Sequence, residues 1–364
     1  MKDVARMMRL AGVIFGVFFS LQDVQAEPYI AVETGLRCGT CHVSPSGGGM
    51  RTAYGNIYSQ TDFVAHKLGD HKPWTGEIGR YFAVGGDARW GWVRQDVPGQ
   101  PAEESTDLEE FLAYVQIKPF PKYFSLYIDA KVLPDDAVVR EQYAKLNLPG
   151  GEWWVRAGEF FLPYGFRLQD DEAFIRQVSG INYNTPDAGW ELGYESGKWS
   201  AQLAVTRGTA GGPEVDSGKQ YSARVSYVRQ DWRVGGSFNF NDAAAGDRQM
   251  QNVFAGLNTG PLTWLAEVDY IIDDGAPTGR RKLWASLVEA NWGYRQGHNL
   301  KLTFEWFDPD DEVDEDERNR VSLVWEYAPI HFMQGRVGYR RYDGIPQNAA
   351  QNREQFFAEL HLWF

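Results

Sequence analysis

From residue 78 to the end of the chain, apolar and polar side chains alternate in run after run. No other feature constrains the fold as strongly. A period of two puts successive side chains on opposite faces of an extended strand, whereas a helix needs apolar positions every three or four residues. Phe124, Leu126, Ile128, Ala130 and Val132 alternate with Tyr123, Ser125, Tyr127, Asp129 and Lys131. Leu262, Trp264, Ala266, Val268, Tyr270 and Ile272 repeat the pattern around Thr263, Glu267 and Asp269, and Leu300, Leu302, Phe304 and Trp306 around Lys301, Thr303 and Glu305. Trp199, Ala201, Leu203 and Val205 do so around Ser200, Gln202, Ala204 and Thr206. Each run is about as long as a tilted strand needs to cross the hydrocarbon of a bilayer.

Sixteen such runs are predicted, near 78–94, 107–119, 122–133, 138–148, 152–161, 187–196, 198–207, 218–229, 232–242, 248–258, 261–273, 281–294, 298–307, 318–328, 331–343 and 353–364. An even number suits a closed bacterial barrel with both ends on one side; fourteen or eighteen strands would meet that condition too. Connections alternate between tight turns, such as Phe120-Pro121 and Gly260-Pro261, and longer polar loops at 95–106, 162–186, 208–217, 243–247, 274–280, 308–317 and 344–352. The fold expected is all-β: a transmembrane antiparallel β-barrel of about 16 strands. By analogy with porins, the longest loop, 162–186, would fold into the lumen and narrow it. The chain ends on alternating Phe356, Ala358, Leu360, Leu362 and Phe364, which resembles the C-terminal signature by which outer-membrane barrels are recognised for assembly.

Composition agrees. Aromatic residues make up 15% of the chain, yet its mean hydropathy is negative. Strands with one lipid-facing and one lumen-facing side average out in this way. The net charge of −13 argues against nucleic acid as a partner. No nucleophile–base arrangement or phosphate-binding glycine loop stands out, so hydrolytic or transfer chemistry is not expected.

The first 77 residues differ in kind. Lys2, Arg6 and Arg9 precede an apolar run from Leu10 to Leu21, followed by Val24-Gln25-Ala26. This reads as a cleavable signal peptide over 1–26; the run is short for an uncleaved membrane anchor. Residues 27–77 are rich in Gly, Ser and Thr, include Gly47-Gly48-Gly49, and lack the period of two. About fifty residues build little core and lean on a staple or cofactor. Cys38-Gly39-Thr40-Cys41-His42 holds both cysteines of the chain and spells the c-type haem attachment sequence. Cys38 and Cys41 would form the thioethers, and His42 would be the proximal iron ligand. C-x-x-C also serves as a redox dithiol, here without the βαβ context, or as part of a zinc site, for which Cys38, Cys41, His42 and His66 are available. The segment 27–77 is therefore read as a small haem-binding plug or cap, with Tyr29, Ile30, Val43, Tyr54, Ile57, Tyr58 and Phe63 available to pack on the ring. The distal ligand candidates are His66, His71 and Met50, with His66 placed before His71.

Pro28-Tyr29-Ile30-Ala31, Thr34-Gly35 and Cys38-x-x-Cys41-His42 together resemble the N-terminal motif of the fused monohaem c-type cytochrome–porins. That family is typified by outer-membrane cytochromes of Fe(II)-oxidising bacteria. The resemblance covers about fifteen residues closely and the barrel only in architecture. It implies a bacterial outer-membrane protein with one covalent haem c that passes electrons between soluble periplasmic cytochromes and an extracellular donor or acceptor such as iron. Cys38 and Cys41 would be the attachment sites and His42 the proximal ligand. Two departures bear on iron as substrate. Ser44-Pro45-Ser46-Gly47-Gly48-Gly49 is more glycine-rich than in those iron oxidases, and Arg156 to Gly165 (RAGEFFLPYG) resembles the phosphate-selective porins. The alternative reading is a diffusion porin for small anions or other solutes, with the haem-bearing plug as gate or sensor.

Two charged features complete the reading. Asp308 to Glu317 (DPDDEVDEDE) lies in an expected outer loop, where it would bridge neighbouring lipopolysaccharide through divalent ions or attract extracellular cations. Asp129, Lys131, Glu141, Lys145, Arg156, Arg224, Arg233, Glu267, Asp269, Lys301 and Glu305 fall on the lumen side of their strands. A mixed-sign lining of this kind suggests a hydrated interior.

Overall fold

The computed structural model describes residues 27–364 apart from 68, 70–71, 182–184, 210–215 and 277–278. The expected signal peptide and His71 lie outside the described residues. The barrel strands are β1 (Phe82–Asp96), β2 (Glu103–Phe120), β3 (Phe124–Leu133), β4 (Val138–Asn147), β5 (Trp153–Phe160), β6 (Asp187–Ser196), β7 (Trp199–Thr206) and β8 (Gln220–Arg229). They continue as β9 (Trp232–Asn241), β10 (Arg248–Asn258), β11 (Leu262–Asp273), β12 (Arg281–Arg295), β13 (His298–Asp308), β14 (Arg318–Tyr327), β15 (Met333–Asp343) and β16 (Glu354–Trp363). Each pairs antiparallel with its neighbours in sequence. Pairing from Glu354↔Asp96 to Trp363↔Asp87 joins β16 to β1 and closes the barrel.

The sixteen expected strands are all present, with ends shifted by four residues or fewer. The first shift has a clear cause. Residues 77–78 form a separate two-residue pairing with Phe82 and Ala83, so β1 itself begins at Phe82. The second removes most of a loop: β1 and β2 stay paired out to Gln95↔Glu103, because the polar residues 103–106 continue the ladder beyond the apolar band.

Along β3 the burial pattern is inverted relative to a soluble protein. Ser125, Tyr127, Asp129 and Lys131 are buried, while Leu126 and Ile128 are exposed. A closed cylinder with this pattern leaves no unpaired edge and presents hydrocarbon outward, which are the two conditions for crossing a bilayer with strands. At the short-turn end Trp153, Trp199, Trp232, Trp292, Tyr294 and Trp325 form an exposed girdle. It is tied together by ring contacts such as Trp153–Tyr194 at 4.6 Å and Trp199–Tyr227 at 4.8 Å. Trp190, Tyr221, Trp284 and Phe356 ring the other end. Such belts sit at the headgroup level. No helix among the described residues is long and apolar enough to cross a membrane.

The lumen is filled. Phe161 to Gln169 of the longest loop are all buried, and the loop crosses the interior to the far wall. Gly165 N donates to Ser237 Oγ at 3.0 Å, Phe166 N to Glu267 at 2.6 Å and Phe174 N to Glu305 at 2.8 Å. A short helix, α4 (Phe174–Ser179), packs within it. The expected inward fold of this loop is therefore present. The expected hydrated lining is not. The charged side chains expected on the lumen side do face inward, but Asp129, Glu141, Arg156, Asp269 and Glu305 have no solvent exposure at all. The loop covers them, and they pair across the wall, as in Arg140–Asp129 at 2.9 Å and Arg156–Glu191 at 2.8 Å.

Candidate haem site in the barrel mouth

Residues 27–67 lie inside the short-turn end of the barrel and touch its wall on several sides. Helix α1 (Pro28–Thr34) begins with Pro28 at a position where the missing N–H costs nothing. Its Val32 is fully buried against Phe254 and Leu265. Glu27 meets Lys301 Nζ at 2.8 Å, and Glu33 accepts from Thr263 Oγ1 at 2.8 Å. The next turn, α2 (Cys38–Cys41), carries the C-x-x-C sequence, and α3 (Ala53–Thr61) packs against it. Between them, Gly47, Gly48 and Gly49 all have positive φ (93°, 71° and 62°). This left-handed run is readily open only to glycine, and it turns the chain back so that Val43 N reaches Met50 O at 2.9 Å.

A partly open cavity lies between this segment, the long loop and the wall. Cys38, Cys41 and His42 line it, and both cysteines are free thiols. Its apolar surface comes from Ile30, Leu36, Phe63, Phe166 and Trp363, and its cations include Arg51, Arg224 and Arg233. Burial pushes the Cys38 thiol up, but Arg233 and Arg224 outweigh it and leave the thiol below its ordinary value. Cys41 is pushed up to about 11 by burial and by Cys38 beside it. His42 is brought down to about 3 by burial, then by Arg51 and Arg167. Its imidazole is therefore neutral, and Nδ1 is buried with no hydrogen-bond partner among the described residues.

The three motif residues thus share one cavity. The structure does not bring Met50 or His66 to it. Met50 is buried in a cluster with Leu112, Tyr114 and Tyr127, and its N–H donates to Tyr127 Oη at 3.1 Å. His66 is exposed, its backbone held by Pro329 O at 3.0 Å in the β14–β15 turn. Of the expected ring-packing residues, Ile30, Tyr58 and Phe63 line the cavity, while Tyr54 and Ile57 face outward. Among the described histidines, the second to line the cavity is His361 of β16. Its Nε2 lies 2.7 Å from Asp87 Oδ1, which Arg51 also approaches at 3.4 Å. The available signal was parity: His361 sits between Leu360 and Leu362, so it points into the lumen.

The donor set fits a covalently attached haem: two free thiols three residues apart, a neutral imidazole next to the second, and apolar side chains lining the space beside them. No group of three or more Cys, His, Asp or Glu side chains among the described residues is arranged to hold a metal ion, so nothing here favours the zinc reading.

No family model and no curated protein matches the chain. Solved structures do match in fold. A loop L8 deletion mutant of OmpT from Vibrio cholerae is 12% identical, with a TM-score of 0.60 over 78% of this chain and 100% of that one. The anion-selective porin from Comamonas acidovorans is 10% identical, with a TM-score of 0.58 over 78% and 99%. OprB from Pseudomonas putida is 8% identical, with a TM-score of 0.61 over 78% and 94%. These likenesses establish a porin-like barrel fold.

Proposed function

We propose that this chain is an outer-membrane cytochrome–porin that carries electrons across the bacterial outer membrane through one haem c. The observation that carries the reading is that Cys38, Cys41 and His42 line one cavity inside a barrel whose lumen-facing Asp129, Glu141, Arg156 and Glu305 are sealed from solvent. A closed wall is of little use to a diffusion channel, but it insulates a redox centre. Bound haem would supply one-electron chemistry at its iron. The chain's own residues do the rest. Cys38 and Cys41 would fix the ring, His42 would offer a neutral nitrogen, and Trp363 and Phe166 would shield its face from water. His361, held by Asp87, is the further imidazole within the cavity. Soluble periplasmic cytochromes would meet the short-turn end. The extracellular partner, iron among the candidates, would meet the long-loop end. Oxidation of Fe(II) there would be electron transfer rather than enzyme chemistry with a catalytic residue.

The test is expression with a c-type maturation system. Haem staining after denaturation should mark the wild type and be lost in Cys38→Ala/Cys41→Ala. Wild-type protein in sealed proteoliposomes should oxidise an internal reductant with an impermeant external acceptor. Unstained wild type, or stained protein with no transfer between the two sides, counts against the proposal. A second reading, a diffusion porin with a haem-bearing gate or sensor, is supported by the fold likeness to porins. A large, steady conductance in planar bilayers would favour it.

A further inference from the structure

Arg224 of β8 and Arg233 of β9 are 4% and 3% exposed, and both line the cavity. Neither has a carboxylate at ion-pairing distance among the described residues. Arg224 Nε donates to Gly165 O at 3.1 Å, and both terminal nitrogens of Arg233 lie 3.6 Å from Cys38 Sγ. Their other contacts are aromatic faces: Phe254 lies 4.9 Å from Arg224 and 5.6 Å from Arg233, and Phe166 lies 5.9 Å from Arg233. Arg233 Nε is buried with no partner. The nearby acids are committed elsewhere. Glu191 takes Arg156 at 2.8 Å and Gln202 at 2.9 Å, and Glu267 takes Phe166 N at 2.6 Å and Asn252 at 2.8 Å.

Elsewhere on this wall buried arginines meet carboxylates: Arg89 meets Glu110 and Glu359, each at 3.4 Å, and Arg140 meets Asp129 at 2.9 Å. Two buried cations that share the Phe254 ring and lack such a partner are costly unless a ligand supplies the negative charge. We propose that Arg224 and Arg233 form a binding site for an oxyanion, a carboxylate or phosphate group, at the wall of the cavity. Guanidinium forks suit that chemistry through paired N–H···O bonds. The oxyanion has two sources: a free anion from solution or a haem propionate. Covalent attachment favours the first. Thioethers form on the vinyl edge of the porphyrin, the propionates lie on the opposite edge, and Arg233 touches the sulfur of Cys38.

The site does not depend on the haem reading, and its test separates the two. Inorganic phosphate is titrated calorimetrically, at constant ionic strength, into the full chain in detergent. Haem-loaded wild type is compared with the haem-free Cys38→Ala/Cys41→Ala variant. Saturable binding to both supports the site with a free anion. Binding to the haem-free variant alone supports it with a propionate as the resident group. Arg224→Gln and Arg233→Gln should each weaken binding at least tenfold, and Arg233→Lys should retain part of it. Retained heat-modifiable migration of each variant shows that its barrel is folded. No saturable binding in either form, or unchanged affinity in folded Gln variants, overturns the site. Haem staining of the wild type is scored separately and bears only on the function proposed above.

Discussion

Gly55 shows how tightly the haem-motif turn is built. A Cβ at this position would stand 2.1 Å from Cys41 O, a backbone atom that cannot move aside cheaply. In an ordinary helix Gly→Ala stabilises by up to about 1 kcal/mol; here the sign reverses. Gly55→Ala should force α2 away from α3 at an overpacking cost of about 1–3 kcal/mol, lowering the fraction of protein that stains for haem. Gly335→Ala is the control, because nothing lies within 4 Å of its added Cβ. Equal staining of the two variants would show that the α2–α3 contact does not position the motif. At this scale the sequence was legible where residues are contiguous: Cys38, Cys41 and His42 share one cavity. It was not legible where partners come from distant strands. His361 and Arg233 are 319 and 191 residues beyond His42 (361 − 42 and 233 − 42), and only closure of the barrel brings them to the same cavity. Met50 was drawn elsewhere because Tyr127 and Leu112 offer it an apolar pocket.

At the scale of elements, strands were legible because a period of two records which face each residue takes, and neighbour pairing then leaves little freedom. The long loop was legible in its length but not in its landing points, which are single polar contacts. Asp170 is one of them. It lies 2.8 Å from Arg320 Nη2 and 3.2 Å from Arg340 Nη2. Burial alone would raise its carboxyl, but Arg320 and Arg340 outweigh burial and hold it well below the usual carboxylate range. A carboxyl depressed in the folded state contributes its full stabilisation above its unfolded value and loses it as pH falls toward the folded value. The contribution of Asp170 to loop docking should therefore be constant from neutral pH down to about 4, near the unfolded carboxyl value, and weaken below it. Asp170→Asn removes one of the carboxylates that meet Arg320 and Arg340, which keep Glu305 and Glu172, a loss of about 1.5–3 kcal/mol. The variant should expose the loop to protease at neutral pH, while the wild type resists until acidified. Equal cleavage of both at pH 7 would mean that other contacts hold the loop.

At the scale of the whole molecule, two segments close one cylinder, and their arrangement fixes what removing each should do. Residues 27–67 reach around the short-turn mouth, from Lys301 through Arg233 to Tyr127 and on to Trp363. The loop after β5 runs from that strand to Ser237, Glu267, Glu305 and Arg340. They meet where Arg167 donates to Gly47 O, so a solute would have to pass both. Barriers in series behave differently from barriers in parallel, because the narrower one alone limits flow. Deleting residues 163–185, or replacing 28–66 with a short linker, should therefore leave single-channel conductance in planar bilayers low. Removing both should raise it many-fold, toward that of an open sixteen-stranded porin. The double deletion also strips the cover from Arg156, Glu141 and Asp129, which have no exposure in the intact chain. They become the hydrated mixed-sign lining expected of a barrel this size. Full conductance from the loop deletion alone would show that the N-terminal segment does not seal the mouth, and would weaken the case that this barrel insulates a redox centre.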